Sequence, residues 1–201
     1  MGRQGILLVF SGPSGVGKGS ICRALIKENP TIHLSVSATT RLPRSGEVHG
    51  VDYYFLDNNS FKKMIEEDEL LEWAEVYGHF YGTPRRFLQE ALDRGNDVIL
   101  EIDIQGALQV KDRFPMAVLI FVVPPSRLAL ESRLRARGTD TREEIEKRLR
   151  CTEREIKMAW RYDYIVINDQ LTRTLDTVRA IITAEKARPQ RSQCLVRDLL
   201  R

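Results

Sequence analysis

At 201 residues, with 42% hydrophobic and 29% charged side chains, the chain fits one globular domain able to bury its own core. Its net charge of +3 is too mild to hold nucleic acid by bulk electrostatics, so small polyanions are the expected partners. Cys22, Cys151 and Cys194 are widely spaced, which argues against a disulfide framework or a zinc site and for a reduced, cytoplasmic setting. The apolar run Ala117 to Val123 is far short of the roughly 20 residues a membrane span needs. The first residues leave no room for a cleaved leader, so the mature chain is expected to begin near Met1. His33, His49 and His79 show no ligand spacing, and no metal role is assigned to them.

In chain order, the apolar run Ile6 to Phe10 predicts a buried strand, and Ser20 to Glu28 a helix. Between them Gly12, Pro13, Ser14, Gly15, Val16, Gly17, Lys18 and Gly19 spell GPSGVGKG, the frame of a phosphate-binding loop. Such glycines let successive backbone N–H groups point at a polyphosphate, the new helix adds its positive end, and Lys18 supplies a mobile charge. In the standard motif the next residue is Ser or Thr, whose hydroxyl ligates Mg²⁺; here it is Gly19, followed by Ser20. A helix turns about 100° per residue, so Ser20 does not inherit that place. A metal would then lean on the nucleotide phosphates, water or another side chain, with no dedicated protein site.

From Ser35 to about Leu92 the rhythm changes. A short strand is expected around Leu34 to Val36. Beyond it, β-like pieces at Tyr53–Leu56, Leu71–Tyr77 and Phe80–Thr83 surround one helix, Phe61–Glu67, with Asn58 to Ser60 as cap candidates. This reads as an inserted, partly antiparallel subdomain. Arg41 and Arg44, either side of a proline turn, make a fork suited to phosphate oxygens or, equally, a solvated basic loop.

Strands are next expected at Val98–Ile102, Leu119–Val123 and Tyr164–Ile167, with helices at Ile104–Arg113, Leu128–Arg137 and Leu171–Ala187. Alternating strands and helices predict a parallel sheet whose ligand lies beyond the carboxyl ends of its strands, where Glu101 and Asp103 emerge. After Arg133, Arg135 and Arg137, Gly138 ends one helix, and Thr141 with Glu144 makes a capping box that starts another, running to about Trp160. Two helices about an arginine-rich hinge suggest a lid. Pro189 closes the last helix, and the tail to Arg201 is basic with loosely spaced leucines.

The segments GPSGVGKG, SVSATTRLPRSGEVHGVDYYF, LLEWAEVYGHFYGTP, ILEIDIQGA and RARGTDTREEIEKRL, in that order across about Gly5 to Ala187, resemble guanylate kinase. The resemblance implies an α/β fold: a P-loop NTPase-type parallel sheet core flanked by helices, with an inserted mixed α/β GMP-binding subdomain and a helical lid. It divides a single domain, residues 1–201, into a core (about 4–34, 93–127 and 156–187), a GMP-binding insertion (35–92), a lid (128–155) and a tail (188–201). It implies transfer of the γ-phosphoryl group of ATP to GMP, a step in guanine-nucleotide synthesis and recycling, with Mg²⁺ entering bound to ATP. No nucleic acid or membrane partner is implied, and a homo-oligomer stays open.

By the same resemblance Glu72 and Asp103 face the guanine N1–H and N2 amino donors, and Ser37 and Thr83 supply hydroxyls. Arg41, Arg44, Tyr53 and Tyr81 hold the GMP phosphate, and Lys18, Arg41, Arg137 and Arg148 offset charge during transfer. Read alone, Glu72 is equally a solvated strand residue and Asp103 a helix N-cap, while isolated tyrosines are more often core. Arg133, Arg135, Arg142 and Arg150 compete with Arg137 and Arg148 for the same task. Glu101 is a candidate for holding metal-bound water. Two rivals remain: a scaffold module that has lost catalysis, against which Lys18 and the intact loop glycines speak, and a kinase for another acceptor, against which Ser37, Glu72 and Asp103 speak.

Overall fold

The structure, a computed structural model, describes residues 5–76, 78–136 and 141–191. The chain opens with β1 (Leu7–Ser11), α1 (Lys18–Glu28) and β2 (Ile32–Leu34). It continues through β3 (Ala38–Thr39), β4 (Tyr54–Phe55), α2 (Asn58–Glu66), β5 (Leu70–Val76), β6 (His79–Pro84) and α3 (Arg85–Asp93). Then come β7 (Asp97–Glu101), α4 (Ile104–Arg113), β8 (Val118–Val123), α5 (Arg127–Ala136) and α6 (Arg142–Ile156). A 3₁₀ turn (Ala159–Arg161), β9 (Tyr164–Ile167) and α7 (Leu171–Lys186) complete it.

The strands sort into two sheets. A five-stranded parallel sheet runs β2-β7-β1-β8-β9, with Phe10 opposite Glu101 and Ser11 opposite Phe121. Alternate β1 residues serve opposite faces: Leu8 and Phe10 pack with Ile21, Leu130 and Val178, whereas Leu7 and Val9 pack with Leu88, Leu92 and Val110. Burial on both faces explains why these strands read as continuous apolar runs. A four-stranded mixed sheet, β4-β3-β6-β5, packs around Phe61 of α2, Ala38 and Leu70.

Several expected boundaries shift for identifiable reasons. The N-cap of α2 is Asp57, whose carboxylate accepts from the N–H groups of Asn59 and Ser60, so Asn58 to Ser60 lie inside the helix. The first parallel neighbour strand is Ile32–Leu34, not Leu34–Val36, and α1 begins at Lys18 because Gly17 adopts a left-handed cap at φ 94°. Helix α3 follows β6 through Pro84 with no side-chain cap, and its Leu88 and Leu92 pack against the parallel sheet. The helix expected to reach Trp160 gives way after Ile156 to the 3₁₀ turn. The capping box of Thr141 and Glu144 has both its arms. Pro189 opens a further helical turn at 189–191. Arg137 and the hinge to residue 140, Tyr77, and residues 192–201 lie outside the described residues.

Candidate active site

Two neighbouring parallel strands, β1 and β7, end side by side on residues that build a candidate cleft. From Ser11 the chain enters the phosphate loop, where Gly12, Gly15 and Gly17 have φ of 134°, 88° and 94°. At Gly12 the requirement is also steric, because a Cβ would stand 2.2 Å from the carbonyl oxygen of Val122 on the neighbouring strand. Lys18 Nζ folds back to donate to the carbonyl oxygens of Gly12 (2.7 Å) and Pro13 (3.1 Å), so the ammonium lies over the loop it serves. Arg148 of α6 reaches the same loop and donates to Ser14 Oγ at 2.6 Å.

Glu101 ends β7 beside this loop. A Cβ added at Gly19 would lie 3.1 and 3.4 Å from the two carboxylate oxygens of Glu101, so an oxygen pair stands where a Ser or Thr side chain would begin. Two residues on, Asp103 caps α4, accepting from Gly106 N (3.0 Å) and Gln105 N (3.3 Å). The cap therefore exists, and it fixes Asp103 at the mouth of the cleft.

Across the cleft, Glu72 of β5 is 2% exposed and accepts a 2.6 Å hydrogen bond from Thr83 Oγ1 on the paired strand β6. Burial pushes its carboxyl up to about 7, and the neighbouring Asp103 charge adds to the rise. The first turn of α4 lies so close that a Cβ at Gly106 would meet Glu72 Oε2 at 2.2 Å. Gln109 locks the two elements together, donating to Trp73 O (2.8 Å) and accepting from Trp73 N (3.3 Å). Two carboxyls and a hydroxyl thus converge at one end of the cleft. Ser37, half-buried, precedes β3 and accepts Tyr54 N–H at its carbonyl oxygen.

Arg41, Tyr53 and Tyr81 form a second cluster, on the mixed sheet and its loop. The two tyrosine rings meet edge to face at 6.1 Å, and Arg41 Cζ lies 5.4 Å from the Tyr53 ring. Burial first, then the Glu101 charge, raises the Tyr53 phenol. Arg44 is exposed at the rim.

The sequence model of the guanylate kinase family matches residues 4–185. The chain belongs to the guanylate kinase family. The guanylate kinase of Caldanaerobacter subterraneus subsp. tengcongensis is 53% identical over 193 residues, covering 96% of this chain and 94% of the relative. That of Clostridioides difficile is 50% identical over 194 residues, with 96% and 95% covered. The crystal structure of guanylate kinase from Anaplasma phagocytophilum superposes with a TM-score of 0.79 at 35% identity, covering 94% of this chain and 90% of that one.

The guanylate kinase fold groups Glu72 with Thr83 and Asp103, Arg41 with Tyr53 and Tyr81, and Arg148 with the phosphate loop, while Arg137 lies outside the described residues. It also separates the competing arginines. Arg133 donates to the carbonyl oxygens of Val16 (3.2 Å) and Asn168 (2.8 Å), behind the phosphate loop. Arg135 pairs with Glu131 and Arg142 with Glu146 on exposed helix faces. Among the described arginines of α5 and α6, Arg148 is the one seen bonded to a loop side chain.

Some contributors to the guanylate kinase site carry no sequence signal. Asn168, just past β9, is buried and donates to Val16 O at 2.7 Å, while a Cβ at Gly17 would meet its amide nitrogen at 2.4 Å. Nothing in its neighbours marks it. Gly106 carries a signal that was not read: a glycine in a helix's first turn, where it otherwise weakens the helix.

Proposed function

We propose that this cleft performs ATP:GMP phosphotransfer, with ATP on the phosphate loop and GMP held between Glu72 and Arg41. The chain is a nucleoside monophosphate kinase. The observation that carries the acceptor's identity is the buried carboxyl of Glu72, bonded to Thr83 and facing Asp103. Guanine presents N–H donors at N1 and N2 to such a pair. Adenine would leave a buried acid unpaired, a mismatch worth up to about 10⁴–10⁵ in discrimination.

With its base in that corner, a monophosphate extends its phosphate toward Arg41, Tyr53 and Tyr81, with Arg44 at the rim and Ser37 beside the base. No general base is needed, because a phosphate monoester with a second pKa of about 6 is already mostly a dianion at neutral pH. Catalysis is then positioning and neutralisation of charge. Lys18 leaves its loop carbonyls for the β- and γ-phosphate oxygens, backbone N–H groups from Gly12 to Gly19 hold the polyphosphate, and Arg148 approaches from α6. Arg137 keeps its assignment from the resemblance.

Mg²⁺ fits the donor set: the carboxylate oxygens of Glu101 beside Gly19 are hard ligands able to hold it through water. Bound with ATP, it supplies charge neutralisation at the phosphates. The mixed sheet, α2 and the loops around them form the GMP-binding insertion, and α5 with α6 the lid. A cytoplasmic location accords with the free thiols of Cys22 and Cys151 and with the nucleotide substrates.

The deciding experiment is a coupled ADP-release assay with ATP·Mg²⁺ and GMP, AMP, CMP or UMP, run on wild type and Lys18→Ala. Turnover with GMP alone, reduced at least about a hundredfold in the variant, is expected. GMP binding without turnover would identify a scaffold module, and turnover with AMP would overturn the reading of Glu72.

A further inference from the structure

Behind β5, on the side away from the cleft, α3 and α4 leave a pocket of about 450 Å³, a volume suited to a small ligand. Leu71, Leu88 and Phe114 give it an apolar floor, and Arg85 and Arg113 stand in its wall. Strand alternation separates it from the acceptor corner. Leu71 packs with Leu88 in the core of the parallel sheet, whereas Glu72, next along β5, turns to Thr83. Helix α4 spans the two places, with Asp103 capping its first turn and Arg113 in its last, about 15 Å along the axis.

Both arginines are anchored by one nitrogen each. Arg85 Nη2 donates to Asp68 Oδ1 at 3.0 Å and to Leu70 O at 3.3 Å. Arg113 Nη1 donates to Leu70 O at 3.1 Å and Leu71 O at 2.8 Å, and stands 3.8 Å from the same Asp68 oxygen. Among the described residues the other nitrogens, Nε and Nη1 of Arg85 and Nε and Nη2 of Arg113, have no hydrogen-bond partner. Arg85 Nε lacks one although it is enclosed, a donor left unpaid by the protein itself. With side chains 41% and 44% exposed, the two arginines are accessible from solvent.

The charged lining is two guanidiniums against one carboxylate, Asp68, so the pocket carries a net positive charge. A guanidinium fixed at one Nη keeps its plane and offers its remaining N–H groups to an oxyanion. A bare inorganic anion would leave the apolar floor uncovered, and a neutral apolar molecule would leave the donors unmet. We propose that this pocket is a second anion site, taking a small organic phosphate or carboxylate whose oxygens meet Arg85 and Arg113 and whose apolar body rests on Leu71, Leu88 and Phe114. It is separate from the positions of ATP and GMP, and its occupation needs neither.

The test measures binding of phenyl phosphate and of benzoate by calorimetry, with inorganic phosphate and phenol as their separate halves. Wild type, Arg85→Gln, Arg113→Gln and the double variant are compared, each with and without GMP and a non-hydrolysable ATP analogue. At least one aromatic anion is expected to bind wild type about tenfold or more tighter than inorganic phosphate or phenol, equally with the cleft empty or filled. The tighter of the two identifies the oxyanion. The double variant should lose about tenfold or more. Arg113 also ties α4 to β5, so thermal midpoints check each fold, and Arg85→Gln, which leaves that tie in place, should by itself weaken binding severalfold. Binding that vanishes when the cleft is filled, persists undiminished in Arg85→Gln, or is matched by inorganic phosphate or phenol would overturn the proposal. So would the failure of both aromatic anions to bind wild type at about 10 mM.

Discussion

The Glu72 carboxyl, pushed by burial from 4.5 up to about 7, titrates in the range where the protein works. Between those values the folded chain holds more protons at Glu72 than the unfolded chain. Its ionisation therefore costs stability as pH rises, a penalty absent below pH 4.5 and complete above about 7, on the order of 3 kcal/mol. A series of urea unfolding curves on Glu72→Gln should show the variant gaining on wild type across that window. Guanine's donors favour the carboxylate, so ligand binding lowers this pKa again. Guanosine, free of a titrating phosphate, should bind wild type more tightly as pH rises toward 7 and release up to one proton at about pH 6. Calorimetry in two buffers of different ionisation enthalpy measures that release, which Glu72→Gln should abolish. At this scale Glu72, Thr83 and Asp103 were marked by the motifs that carry them, whereas the hold of Glu47 on Arg41 was not legible, although Glu47 too lies in one of those segments. It sits in an irregular loop, where no period links it to Arg41.

Elements that cap themselves were read well from sequence, and elements defined by their neighbours were not. Thr141 and Glu144 marked the start of α6 because both arms of the box are local. Helix α3 has no such signal: it leaves β6 through Pro84 and exists because Leu88 and Leu92 find the parallel sheet. The phosphate loop shows the same division. Its glycines announce its shape, but its rear is held by Asn168, which donates to Val16 O and accepts from Thr174 Oγ1 at 3.2 Å. Asn168→Ala leaves that buried carbonyl, among the described residues, to the more distant Arg133, and should cost about 1–3 kcal/mol in chemical unfolding. Because Asn168 touches the loop and not the mixed sheet, the kinetic loss should fall on KM for ATP more than on KM for GMP.

For the whole molecule, the cleft is assembled from parts with separate cores. Glu72, Thr83, Arg41 and Tyr81 belong to the mixed sheet and its loops around Phe61, whereas Lys18 opens α1 and Arg148 sits on α6, whose Ile145 and Leu149 share the core of the parallel sheet. Joining two anionic phosphates in a space closed to water calls for these parts to converge. Small-angle scattering should show a smaller radius of gyration with GMP and a non-hydrolysable ATP analogue together than with neither. Identical dimensions would exclude such closure.

By itself the sequence determined the parallel α/β core, the phosphate loop and, through its ordered motifs, the family. Runs of apolar residues, glycine spacing and caps are local physics, written in adjacent positions. Only the tertiary structure decided that Arg148 meets a side chain of the loop while Arg133 braces one of its carbonyls, why Gly12 and Gly106 must be glycines, and how Asn168 and Glu47 hold their partners. Those depend on approach between strands and helices distant in the chain, or on the path of an irregular loop, and no periodicity in the sequence encodes either.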